Sequence, residues 1–272
     1  MADSFGRLVS RAVLAACCTL FTITTAAAQQ PQGIAPAPPA PEFMSRYDFN
    51  MSAAKLAAFD DPRFKWDVHW GGDFDLVDYV FGRVTFIGDY EGVLGNEFRP
   101  FDPYQSNYLL EAIGSYRFGQ TEVLAVLNHV SRHLGDRFKP LAVAENSLGP
   151  RVMRRFTFDN NKALEVRGNL RKVIAHAYVD YTWMADIDFI AKAAIKPKLG
   201  IYGRAYGQLI TVDPTIAGRG DQHGGRLEAG ILLPGAQGNM ELFVGGERVI
   251  DADQLDRIPR RWAFVGFRLL RN

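Results

Sequence analysis

The stretch Arg83-Val84-Thr85-Phe86-Ile87-Gly88-Asp89-Tyr90-Glu91-Gly92-Val93-Leu94 decides the fold of this chain. Its even positions are Val84, Phe86, Gly88, Tyr90, Gly92 and Leu94, which are apolar, aromatic or small. Its odd positions include Arg83, Thr85, Asp89 and Glu91. Successive side chains of a pleated strand point to opposite faces, so this segment builds one apolar face and one charged face.

Working outward, the same split recurs. Tyr108, Leu110, Ala112, Gly114, Tyr116 and Phe118 oppose Glu111, Ser115 and Arg117. Leu164, Val166, Gly168 and Leu170 oppose Glu165, Arg167, Asn169 and Arg171, and Ala263, Val265, Phe267 and Leu269 oppose Arg260 and Arg268. Alternating segments of about ten residues, separated by turn residues, are the signature of membrane-barrel strands. A soluble sandwich alternates too, but packs large apolar residues against one another. Here Gly and Ala are mixed into the apolar face, which lipid tolerates. Tyr, Trp and Phe near strand ends suit the two interfacial girdles. The fold expected is all-β: an antiparallel up-and-down transmembrane β-barrel of 10–12 strands. Short turns at Phe118–Thr121 and Pro234–Gly238 mark one end. Longer connections, Gly95–Asn107, His133–Asn161, Asp213–Gln222 and Asp251–Pro259, mark the other. In outer-membrane barrels the short turns face the periplasm. Ten strands are expected from Arg83 onward, and Phe64–Val80, interrupted by Gly71-Gly72, is expected to add two more.

Composition agrees with this reading. The 272 residues are 47% hydrophobic with a mean hydropathy of −0.09, which excludes a bundle of transmembrane helices but not a barrel. Residues 1–28 read as a signal peptide: Arg7 and Arg11 precede a short apolar run, and Ala26-Ala27-Ala28 fits a cleavage site. Leu14-Ala15-Ala16-Cys17 also matches a lipoprotein box, although apolar sequence continues past it. Cys17 and Cys18 both lie in this segment, so the exported chain has no disulfide. Residues 29–63 read as a Pro-rich linker followed by a short amphipathic helix over Ser45–Phe59, capped by Ser45 and Asp48. The barrel is expected over 64–272. Its final residues, Phe267 to Asn272, lack the terminal aromatic that barrel assembly machinery reads, although that machinery is the expected partner during biogenesis.

Reactive side chains concentrate in Asn128-His129-Val130-Ser131-Arg132-His133-Leu134-Gly135-Asp136-Arg137. On a strand His129, Ser131 and His133 share a face, with Cα atoms of neighbours on that face about 7 Å apart. A serine beside a histidine, with an acid to orient the imidazole, is the minimal set for nucleophilic ester cleavage. The simpler reading is a hydrogen-bonded network that orders the rim. His129 and His133 are poorly placed as a metal pair, because four strand residues span about 13 Å.

The His-x-Ser element resembles that of the lipid A 3-O-deacylases, small outer-membrane barrels that cleave a lipid ester. The resemblance implies Ser131 as nucleophile, His129 as general base, and Glu145 or Asp136 as the orienting acid. The longer string His-x-Ser-x-His-Leu-Gly-Asp resembles a family of Gram-negative outer-membrane barrels of unknown function. That similarity runs loosely from Asp67 to the C-terminus, through Leu76-Val77-Asp78 and Phe101-Asp102-Pro103. It implies location and architecture but no activity.

Arg151, Arg154 and Arg155 are expected in or just inside the long outer loop, where guanidinium groups would pair with the phosphates of lipopolysaccharide. The balanced charge supplies no argument for nucleic acid. No cofactor and no metal are expected. Three functional readings follow: a barrel of unspecified activity that interacts with lipopolysaccharide, a lipid ester hydrolase using Ser131 and His129, and a narrow channel lined by Arg and Glu. The residues leave the enzymatic and non-enzymatic readings both open.

Overall fold

A computed structural model describes residues 37–57, 60–138, 141–158 and 161–271. The expected signal peptide and the first part of the Pro-rich linker lie outside the described residues. Twelve strands follow in order: β1 (Glu42–Ala57), β2 (Trp66–Asp78), β3 (Arg83–Gly95), β4 (Asp102–Phe118), β5 (Thr121–Leu134), β6 (Val143–Phe158), β7 (Lys162–Ala177), β8 (Tyr181–Lys196), β9 (Leu199–Val212), β10 (Gln222–Pro234), β11 (Asn239–Val249) and β12 (Arg260–Arg271). Each pairs antiparallel with its sequence neighbours, and β1 pairs with β12 to close the barrel. One helical turn, α1 (Pro214–Ala217), interrupts the β9–β10 connection; Asp213 caps it by accepting from the Thr215 amide at 2.9 Å.

The wall is inverted relative to a soluble protein. Leu209 is 63% exposed, Val244 59% and Val265 52%, all on the outside. Arg83, Glu122, Arg226, Glu241 and Arg268 point inward and are at most 1% exposed. An apolar exterior and polar interior suit a hydrocarbon solvent. Many of the inward charges are matched in pairs. Arg83 donates to Glu122 at 2.8 and 2.9 Å and to Asp75 at 3.0 Å. Arg151 grips Glu111 with two bonds of 2.8 Å, and Arg204 grips Asp188 with two of 3.0 Å. Arg268 bridges Glu228 and Glu241 at 3.0 and 2.5 Å. Bidentate arginine geometry offsets desolvation that would make any single buried charge prohibitive.

Three expectations are corrected. The helix expected over Ser45–Phe59 is strand through Ala57: β1 presents Tyr47, Phe49 and Met51 outward and Ser52, Ala54 and Leu56 inward. Without it β2 and β12 would expose unpaired backbone to lipid, which a membrane barrel cannot tolerate. The barrel therefore begins near residue 42 rather than 64. Phe64–Val80 holds one strand, not two, because Gly71 and Gly72 stay in register with Asp89 and Gly88 and make no turn. Finally, the stretch expected as a loop from His133 to Asn161 contains β6. Pro150 inside it argues against strand on sequence grounds, since proline cannot donate to a ladder. The structure accommodates it where the β6–β7 pairing is interrupted between Leu148 and Arg151, just past a register shift at Asn146/Ser147. There the backbones crowd so closely that a Cβ on Gly149 would lie 2.0 Å from the Leu170 carbonyl. The ten strands expected from Arg83 onward are present, and the total is twelve.

The two ends differ as the topology requires. Gly119, at φ +60°, makes the tight β4–β5 turn at one end. At the other, residues 250–259 fold into the mouth, burying Asp251, Ala252, Asp253 and Gln254. Arg219 clamps Asp180 and Asp251 at 2.6–2.7 Å, and Gln105 and Arg132 both donate to the Ala252 carbonyl, at 2.7 and 3.1 Å. Arg63 ties Asp61 to Asp253, which also accepts from Tyr104.

Candidate active site

β5 rises toward the long-loop end, and its parity decides which side each candidate faces. Leu124, Val126 and Asn128 are buried inward, while Val123 and Leu127 are exposed outward. His129, Ser131 and His133 continue the outward set. They stand half-buried near the strand's end, on the apolar side of the wall.

β6 runs back beside β5 with Asn146 directly opposite His129 and Ala144 opposite Ser131. The His129 Nδ1–H donates to Asn146 Oδ1 at 2.7 Å. Because an amide oxygen only accepts, this bond places the proton of the neutral ring on Nδ1 and leaves Nε2 as the acceptor. Ser131 lies two residues further along the same face, its Cα about 7 Å from that of His129, and no hydrogen bond joins it to the imidazole in this state. On the other flank Tyr108 of β4 stands opposite Ser131, and the His133 ring meets it edge to face with centroids 5.7 Å apart. An aromatic row continues through Tyr90 and Trp70, each centroid 5.4–5.6 Å from the next. Such a row suits the boundary between acyl chains and headgroups, where lipid esters sit.

The two candidate acids are elsewhere. Glu145 is opposite Val130 and points into the lumen, buried, on the far side of the wall from His129. Its odd position on β6 forces that placement. Asp136 sits in the β5–β6 connection with φ +46°, where Arg99 donates to it at 2.8 Å. The side chain that meets the histidine is Asn146. The expectation of an acid, and the reading of 143–158 as loop, together hid it. The alternation Ala144, Asn146, Leu148 against Val143, Glu145, Ser147 carried the signal, but Pro150 obscured it.

The arginine cluster is also dispersed. Arg151 lies in the lumen on Glu111 and is bonded to Asn169. Arg154 is paired in register with Thr121, and Arg155 approaches Glu165 at 3.6 Å. Both belong to the short-turn end of β6, not to the outer loop. β6 is a full strand, so twelve residues after Val143 the chain has already crossed the wall.

Inside the barrel, beneath the folded-in 250–259 segment, lies a cavity of about 250 Å³ lined by polar groups that include Asp67, Glu91, Glu145 and Arg171. Arg83, Arg226 and Arg268 with their carboxylates fill the lumen elsewhere.

No known family model matches the sequence, and no curated protein matches it. The expected family resemblances therefore rest on their residues alone. Solved structures do match in shape. An outer membrane channel from Pseudomonas putida F1 superimposes with a TM-score of 0.56 at 10% identity, over 89% of this chain and 99% of that one. Outer membrane phospholipase A from Escherichia coli superimposes with a TM-score of 0.50 at 13% identity, over 83% of this chain and 92% of that one. This chain accordingly has the fold of the outer-membrane β-barrels, a closed antiparallel barrel of twelve strands.

Proposed function

We propose that this protein is an outer-membrane serine ester hydrolase that cleaves an acyl ester of an outer-leaflet lipid, either lipopolysaccharide or phospholipid. The hydrogen bond from His129 to Asn146, with Ser131 on the same lipid-facing side of β5, carries the proposal. His129 Nε2 takes the proton of Ser131 as its Oγ attacks the ester carbonyl. The acyl group passes to the serine oxygen, and the lipid alcohol leaves with the proton that His129 returns. Water activated by the same imidazole then releases the fatty acid. Asn146 positions the ring throughout. A nucleophile facing the bilayer can reach a lipid ester by lateral diffusion alone, without a substrate channel. The apolar wall beside it, with Leu127 and Leu148, matches acyl chains.

The channel reading finds less support, because ion pairs and the 250–259 segment occupy the lumen. The test is fatty-acid release by the refolded barrel in vesicles containing phospholipid, and separately in vesicles containing lipopolysaccharide, read by mass spectrometry. Wild type should release acyl chains from one of them and Ser131→Ala from neither. A wild type inert toward both lipids, and unlabelled by a fluorophosphonate probe, would end the proposal.

A further inference from the structure

The lumen carries a second polar cluster that the rim chemistry does not use. His69 of β2 is opposite Glu91 of β3, which is opposite Asn107 of β4. All are on the inner face, with Asp67 two residues before His69. His69 is 2% exposed. Its Nδ1 meets Asp89 Oδ2 at 2.9 Å, a bond in which the ring N–H donates to the carboxylate. Its Nε2 lies 3.1 Å from Asp67 Oδ1, yet neither atom has a hydrogen-bond partner of acceptable geometry. Asp89 Oδ1 and Asn107 Oδ1 are likewise buried and unpartnered. Glu91 accepts from the Asn107 amide at 2.8 Å, which turns its carboxylate toward the group.

Every unsatisfied atom there can act as an acceptor, and buried acceptors without donors call for a cation. One ligand atom each from Asp67, His69 and Glu91 lies within 4.8 Å of the others. Three ligands on a tetrahedral ion at bond lengths of about 2.1 Å stand about 3.4 Å apart, close to the 3.1 Å between His69 Nε2 and Asp67 Oδ1, so side-chain shifts of about an ångström or less close the site. A histidine that ligates through one nitrogen while the other donates to a carboxylate is the usual arrangement around protein-bound metals. The cavity beneath the 250–259 segment includes Asp67, Asp89 and Glu91 in its lining and leaves room for water at the remaining coordination positions. We propose that the barrel binds one divalent transition-metal ion in its lumen through Asp67, His69 Nε2 and Glu91, with Asp89 orienting the imidazole. One nitrogen and two carboxylate oxygens suit Zn2+ or Mn2+ better than Ca2+, which prefers an all-oxygen shell. The site stands on residues of β2 and β3 and is independent of the hydrolase proposal.

The experiment uses the untagged barrel refolded in detergent and stripped with a chelator, then titrated with Zn2+ alone and with Mn2+ alone. Bound metal is counted by elemental mass spectrometry, and affinity is measured by calorimetry. Wild type should hold one ion per chain. His69→Ala and Asp67→Asn should each lower affinity at least tenfold, and Asp89→Asn by about 10- to 100-fold. X-ray absorption of the loaded wild type should show one imidazole nitrogen in an otherwise oxygen shell. Glu91→Gln, which keeps shape and volume, serves if a histidine or aspartate variant fails the heat-modifiable migration that reports folding. Absence of stoichiometric binding overturns the proposal. So does undiminished affinity in His69→Ala or Glu91→Gln, which would assign the metal to exterior histidines. A doubly protonated His69 that persists in excess Zn2+ by nitrogen NMR overturns it as well.

Discussion

His129 and Asn146 face each other across the β5–β6 ladder on the lipid side of the wall, joined by a bond of 2.7 Å from Nδ1 to Oδ1. An ordinary rim network would tolerate its loss. A catalytic histidine would not, because the tautomer that serves Ser131 depends on it. Ser131→Ala and His129→Ala should each lower ester hydrolysis by about 10³-fold or more, and Asn146→Ala by about 10- to 100-fold. Asn146→Asp should retain more activity than Asn146→Ala, since it restores an acceptor. Rates on vesicle substrate, with folding verified by heat-modifiable migration, check this series.

Glu145→Gln separates the two faces of β6. Its side chain lies in the lumen, across the wall from His129. Hydrolysis should stay within about twofold of wild type, the range of ordinary substitutions away from a site. A loss comparable to that of Ser131→Ala would return Glu145 to the role that resemblance implied for it.

Arg83 is buried against Glu122 and Asp75. Arg83→Ala leaves Glu122 buried without its cation, while Asp75 keeps Arg46, and should destabilise the barrel by about 3–5 kcal/mol. Urea unfolding from lipid vesicles, followed by tryptophan fluorescence, measures it. An unchanged midpoint would mean that water already screens these charges.

Arg219 holds the 250–259 segment in the mouth through Asp180 and Asp251. Arg219→Ala should accelerate limited proteolysis within that segment several-fold. Conductance in planar bilayers should stay low, because the lower lumen remains filled by the Arg268, Glu228 and Glu241 cluster.

Asp61, in the β1–β2 connection, accepts three side-chain hydrogen bonds from Arg63, at 2.7–3.2 Å. The Arg63 guanidinium holds its carboxyl below the ordinary value of 3.8, against a smaller opposing effect of burial. A carboxyl lowered in the folded state adds stability above its unfolded value and loses it as pH falls through the folded one. The tie from Asp61 through Arg63 to Asp253 should therefore hold from neutral pH down to about pH 4 and slacken below it. Hydrogen exchange of residues 60–65, compared between wild type and Asp61→Asn, reads this: the two should converge only in acid.

Alternation alone made most of the wall legible, because a strand with lipid on one side and ion pairs on the other must repeat every second residue. β1 escaped notice because Ser45 and Asp48 also fit a helix cap, and local sequence cannot say that two distant strand edges need a partner. β6 escaped because Pro150 breaks the local rule at a place where the pairing with β7 is interrupted. The rim was partly legible. His129 and Ser131 could be placed on one face by parity, but the third residue comes from another strand.

The chain's sequence by itself determined the barrel, the sorting of apolar and charged faces, and the rim position of His129 and Ser131, because side-chain parity along a strand is a local property. Only the tertiary structure decided the register between strands, and with it every relationship across the ladder. Asn146, not Glu145, meets His129, because one residue of register sends a side chain to the opposite face of the wall. The same register gathers Asp67, His69 and Glu91 from two strands into one buried cluster.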